Sequence, residues 1–109
     1  MHKLFFQGET LHLLPSGGLF WPARNTLAVS DLHLGKSERL ARRGGTLLPP
    51  YETRATLEKL DRDLEATGAT TVICLGDSFD DLAAAEGIEE ASRLWLIRLM
   101  TGRDWTWIT

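Results

Sequence analysis

The chain has 109 residues, enough for one domain and too few for two. Its hydrophobic content of 43% and charged content of 25% are those of an ordinary globular protein and exclude a disordered one. A formal net charge of -3 excludes a global basic field for nucleic acid, although a local patch or a cation would still supply positive charge. The single cysteine, Cys74, sits in an apolar run and is expected to be a buried thiol. With no disulfide framework, the chain suits a reducing, cytoplasmic setting. No apolar run reaches spanning length, and the N-terminal Leu4-Phe5-Phe6 is interrupted by Gln7 and Gly8, so neither a signal peptide nor a membrane anchor is expected.

In chain order, residues 4–30 read as short strands. Thr10 to Leu14, the turn Pro15-Ser16-Gly17-Gly18 and the return Leu19-Phe20-Trp21 form a hairpin pattern. Pro22 to Asn25 marks a second turn. Thr26-Leu27-Ala28-Val29-Ser30 is a compact apolar run, as in a buried central strand. Gly35 to Gly45 is a polar, arginine-bearing connection with room for a short helix. Pro49-Pro50 opens a helix whose Leu57, Leu60 and Leu64 share one face and which Gly68 ends. Thr70 to Leu75 is a second buried strand. A helix from near Ile88 to Met100 would turn Ile88, Ala91, Trp95 and Leu99 inward, and Asp104 to Ile108 returns as a strand. A hairpin followed by alternating strands and helices predicts an α/β fold: a mixed sheet with an N-terminal hairpin and parallel central strands. The tryptophans are expected to be buried rather than to stack bases, and His12 to lie on the surface.

Two apolar strands run into acidic motifs, Asp31-Leu32-His33 and Gly76-Asp77-Ser78-Phe79-Asp80-Asp81. Ligand sites of parallel sheets form at the carboxyl ends of strands, where both aspartates would stand. Asp31 and Asp77 offer hard oxygen donors, and His33 offers an imidazole that suits manganese, iron or zinc. The spacing of Asp31 and His33 lets both side chains converge only where the chain leaves strand geometry. A carboxylate bridging two cations holds them about 3.5–4 Å apart, the separation of two-metal hydrolysis. The competing reading is polar capping of two strand ends without any metal. Gly35-Lys36-Ser37 is a poor phosphate loop, because Asp31 in the preceding turn would repel phosphate. Lys36, Arg39, Arg42 and Arg43 form a local basic cluster that could touch nucleic-acid phosphates or simply face solvent.

The motif pair resembles the calcineurin-like metallophosphoesterases, whose order is Asp-x-His, then Gly-Asp-x-x-Asp, then Asn-His and Gly-His-x-His motifs. The resemblance implies that Asp31 and His33 are ligands of one metal, that Asp77 bridges two, and that Asp80 orients a catalytic histidine. Closer still is the similarity to the bacterial ligase-associated DNA damage response endonucleases. It is carried by Trp21-Pro22-Ala23-Arg24, Asp31-Leu32-His33-Leu34-Gly35-Lys36, Leu75 through Asp81, and Trp105-Thr106-Trp107-Ile108.

That similarity implies the N-terminal part of an α/β/β/α sandwich and a DNA-repair phosphodiesterase or endonuclease. It also implies two divalent metals, with manganese favoured over iron or zinc, and an ATP-dependent DNA ligase and a helicase as partners. The Asn-His and Gly-His-x-His motifs have no counterpart in residues 1–109. The chain is therefore expected to be an incomplete domain that holds at most one metal weakly and has low activity alone. The alternative is a non-catalytic module completed by another chain, with self-association through an unpaired sheet edge.

Overall fold

The computed structural model describes residues 2–32, 34, 51–76 and 89–108. Six strands form one sheet in sequence order: β1 (His2–Phe6), β2 (Glu9–Leu13), β3 (Leu19–Trp21), β4 (Thr26–Ser30), β5 (Thr71–Leu75) and β6 (Asp104–Ile108). β1 through β4 pair antiparallel, whereas β4, β5 and β6 pair parallel. The parallel joins need crossovers. α1 (Tyr51–Thr67) lies between β4 and β5, and α2 (Glu90–Met100) lies between β5 and β6. The α/β class, the hairpin and the parallel centre expected from the sequence are all present.

Local chemistry fixes these joints. Gln7 and Gly8 both take positive φ, at 49° and 80°, which fits the two-residue turn closing β1 on β2. Asn25 ends the short 3-10 turn Pro22–Arg24 in the left-handed region. Its carbonyl accepts from the Thr70 and Thr71 amides, and its side-chain amide donates to Thr70 Oγ1 at 3.2 Å. That one residue ties the start of β4 to the start of β5 and so sets their register. Gly68, at φ 65°, closes α1 by donating its N–H to the Leu64 carbonyl at 2.9 Å. Arg103 plays the matching part for α2, donating to the Leu99 carbonyl at 2.7 Å and the Ala69 carbonyl at 3.1 Å.

Both helices pack on one face of the sheet. The core joins Phe20, Leu27, Val72 and Cys74 from the strands to Leu57, Leu60 and Leu64 of α1 and Leu96 and Leu99 of α2. Leu57, Leu60 and Leu64 are buried as their spacing predicts. Across the helices, the Trp95 indole donates to Asp61 Oδ2 at 2.9 Å. The Arg54 guanidinium grips Glu89 with two hydrogen bonds of 2.6 and 2.8 Å.

Two sequence expectations need correction. In α2 the inward residues are Ser92, Leu96 and Leu99, while Ala91 is exposed. Ile88 lies outside the described residues. The expected surface histidine, His12, is half-buried, because its register opposite Phe20 puts it on the helix-covered side, where the two rings meet edge to face at 6.1 Å. Trp95, Trp105 and Trp107 are partly buried and pack against the core, while Trp21 is half-buried on the opposite face of the sheet. Burial pushes the Cys74 thiol up to about 12, and the neighbouring Trp105 indole offsets that only in part, so Cys74 stays a thiol at neutral pH. No helix among the described residues is long and apolar enough to cross a membrane.

Candidate functional site

The parallel register pairs Ser30 with Leu75, so Asp31 and Gly76 leave the sheet side by side at the carboxyl ends of β4 and β5. The Asp31 amide still donates to the Leu75 carbonyl at 2.8 Å, but its own backbone has already left strand geometry, with φ at 50°. Aspartate tolerates this left-handed conformation better than most residues, although it still costs conformational energy. The turn that the Asp-x-His spacing required therefore begins at the aspartate itself. Leu32 is half-buried and Leu34 fully buried, so the chain bends back onto the core immediately after Asp31.

Gly76 makes room for this arrangement. It adopts φ 74°, and a Cβ placed on it would collide with Asp31 Oδ1 and stand 3.1 Å from the carboxyl carbon. The Asp31 carboxylate thus lies over the backbone of Gly76, the residue that immediately precedes Asp77. A hard-oxygen donor projects from the end of one central strand against the end of the next, which is the geometry expected of a ligand site in an open α/β sheet.

Beside Asp31 a cleft of about 220 Å³ opens between the turn after β2, the end of β4 and the face of α1. Ser16 and Asp63 form its wall. The Ser16 hydroxyl donates to Asp63 Oδ2 at 2.5 Å and accepts from the Gly18 amide at 3.1 Å. Lys59 of α1 lines the cleft and is exposed, the one cation among the described lining residues. Sequence reasoning missed Lys59, Ser16 and Asp63. The available signal was the spacing of Thr56, Lys59 and Asp63, which share the α1 flank beside the buried Leu60 stripe.

Of the residues expected at the site, Asp31 stands where the sequence placed it. His33, Lys36, Arg39, Arg42, Asp77 and Asp80 lie outside the described residues, as do Arg43 and the short helix expected between Gly35 and Gly45. Among the described residues, no group of three or more metal-ligating side chains comes together.

No family model and no curated protein matches the chain. Among solved structures, it is similar to the crystal structure of the Pseudomonas putida nuclease MPE, with a TM-score of 0.67 and 29% sequence identity. The match covers 98% of this chain and 48% of that one, so the chain spans about half the length of the nuclease. The shared fold is that of about half of the nuclease.

Proposed function

We propose that the chain carries part of the active site of a metal-dependent phosphodiesterase of nuclease type, acting on nucleic acid. One observation carries the reading: Asp31 is held in a left-handed conformation at the end of β4 with its carboxylate over Gly76, directly before Asp77. Strain of this kind, about 1–3 kcal/mol, persists where the surrounding structure imposes it, and it clusters at functional sites. Likeness to a nuclease over nearly the whole chain supports the same reading.

In this proposal Asp31, His33 and Asp77 would hold the divalent cations. Manganese fits the mixed oxygen and nitrogen donors best, with iron or zinc as alternatives. Bound cations of this class supply an activated water and neutralise charge that develops on the phosphoryl oxygens. Asp31 contributes a donor whose position is set by the backbone rather than by a free side-chain rotor. Asp80 would orient the catalytic histidine of an Asn-His motif, which residues 1–109 do not contain. Lys59 in the cleft, together with Lys36, Arg39 and Arg42, pairs with substrate backbone phosphates, contacts that position a strand without reading its sequence. The family resemblance extends the proposal to a DNA-repair setting beside an ATP-dependent ligase and a helicase.

A second reading is a non-catalytic module completed by another chain. Titration of the purified chain with manganese, followed by calorimetry and by hydrolysis of single-stranded DNA, separates the two. The enzyme reading expects weak manganese binding and slow manganese-dependent cleavage, both lost in Asp31→Ala. Binding without cleavage supports the module. Binding and cleavage that survive Asp31→Ala unchanged overturn the proposed site.

A further inference from the structure

We infer that Ser16, acting through Asp63, keeps the Lys59 ammonium unpaired, and that Lys59 with the Thr56 hydroxyl takes a backbone phosphate of a single nucleic-acid strand beside Asp31. The identity of the ligand rests on the nuclease reading. The unpaired cation does not.

Most charges of α1 are committed to partners. Arg54 is held by Glu89 and Glu58 by Arg62, while Asp61 accepts from the Trp95 indole and stands 3.6 Å from Arg98. Lys59 has no hydrogen bond or ion pair among the described residues. On a helix a side chain reaches the positions three and four away. For Lys59 these are Ala55, Thr56, Arg62 and Asp63, so Asp63 is the one carboxylate within that reach. The two do not pair, because Asp63 is engaged elsewhere. The Ser16 hydroxyl donates to Asp63 Oδ2 at 2.5 Å across 47 residues of chain. A hydroxyl bond to an ionised carboxylate is among the stronger kinds, and it draws the acceptor toward the donor.

The turn that carries Ser16 is built to hold that bond. The Gly17 amide donates to the Leu14 carbonyl at 2.9 Å, and the Leu14 amide donates to the Gly18 carbonyl at 2.8 Å. Pro15 takes the second place of the turn, where its fixed φ is favoured. The Gly18 amide donates to Ser16 Oγ at 3.1 Å, which leaves the hydroxyl proton for Asp63. Gly18 also gives the pair its room, since a Cβ there would stand 3.1 Å from Asp63 Oδ2 and 3.3 Å from Ser16 Oγ. Leu14, buried at the base of the turn, anchors it to the core.

The consequence falls on the cleft. Thr56 and Lys59 sit one turn apart on the flank of α1 that lines it, with Asp31 in the same lining. An ammonium beside a hydroxyl offers the donors that a phosphate accepts, and such a contact holds a strand without reading its sequence. If Asp31 carries the metal, the phosphate on Lys59 is a neighbour of the one that is cleaved. A released Asp63 would compete with that phosphate for Lys59. Ser16 is therefore a positioning residue, and it acts without touching the strand.

Fluorescence anisotropy of a labelled single-stranded DNA oligonucleotide, titrated with the chain in EDTA over a range of salt, tests the inference. Leaving metal out separates it from the metal site, because a failure of manganese-dependent cleavage would not move this result. Lys59→Ala is expected to flatten the dependence of log K on log salt by about 0.7, the loss of one phosphate contact on a single strand. Arg93→Ala, which removes a cation paired with Glu90 on α2, is expected to leave the slope unchanged. Ser16→Ala is expected to weaken binding about twofold, the scale of one ion pair formed between positions four apart on a helix. In a chain that already carries Asp63→Asn, Ser16→Ala is expected to have no effect. A merely structural role for Ser16 would not produce that dependence on Asp63.

An unchanged slope in Lys59→Ala overturns the phosphate contact, as does a wild-type chain that binds no oligonucleotide at low salt. A Ser16→Ala loss that is the same with and without Asp63→Asn, or that is absent from both, overturns the positioning role.

Discussion

The two faces of the sheet are built from the same strands and have opposite fates. Under the helices, Leu27, Val72 and Cys74 are wholly shielded from solvent, and the two helices above them are clasped by Trp95 to Asp61 and Arg54 to Glu89. On the other side, β4 presents Thr26, Ala28 and Ser30 and β6 presents Asp104, Thr106 and Ile108, and Leu75 and Ile108 remain 40% and 46% exposed. The difference shows that strand hydrophobicity alone does not state how much of a sheet is covered.

Truncating one residue on each face sharpens the contrast. Leu27→Ala removes a side chain with no exposed surface and should cost about 2–5 kcal/mol in urea unfolding. Ile73→Ala, half-buried on the opposite face, should cost roughly 1 kcal/mol. Equal costs for the two variants would break the distinction between the faces.

The strand ends give an intermediate effect. Gly76→Ala puts a Cβ where the Asp31 carboxylate lies and forces a left-handed backbone on alanine, at about 1–2 kcal/mol. The obstructing atom belongs to a side chain that can swing away, so the fold should survive while the carboxylate moves. Manganese affinity is then expected to fall at least about tenfold with the unfolding midpoint only modestly lowered. A variant with unchanged metal affinity would show that Gly76 does not position Asp31.

Much of this architecture was legible in the sequence. The apolar runs gave β4, β5 and β6 nearly to the residue, and the leucine spacing gave the buried face of α1. The face of α2 was not legible, because Leu94, Trp95, Leu96 and Ile97 are consecutive and apolar, so periodicity chooses no side. A tertiary contact chose it, through Trp95 on Asp61. His12 was misread because alternation says that neighbours face opposite ways without saying which way is in. At the site, the strand-end position of Asp31 could be read from the motif. Its left-handed backbone and its contact with Gly76 could not, because both depend on the register between two strands that are distant in sequence.

The smallest effect tests what holds the helix-covered face shut. Glu89 stands just before α2, and the Arg54 guanidinium beside it holds its carboxyl below the usual carboxylate range, against the opposing effect of partial burial. The Ser92 hydroxyl, donating at 2.8 Å, adds to the lowering. A carboxyl whose folded-state pKa is depressed stabilises the protein above its unfolded value, near 4.5, and loses that contribution as pH falls through the folded value. Glu89→Gln keeps the shape and removes the charge. At pH 7 it should cost about 0.2–1 kcal/mol, the scale of an exposed pair in solvent. The difference from wild type should shrink as pH drops below about 4.5 and vanish once Glu89 is protonated in both states. Glu90, paired with Arg93 on the same helix, titrates in the same direction, but it is present in both proteins and cancels in the comparison. Urea unfolding at pH 7, 5, 4 and 3 reads this directly. A difference that stays constant across that range would mean that Glu89 joins the helices through hydrogen-bond geometry alone, with no contribution from its charge.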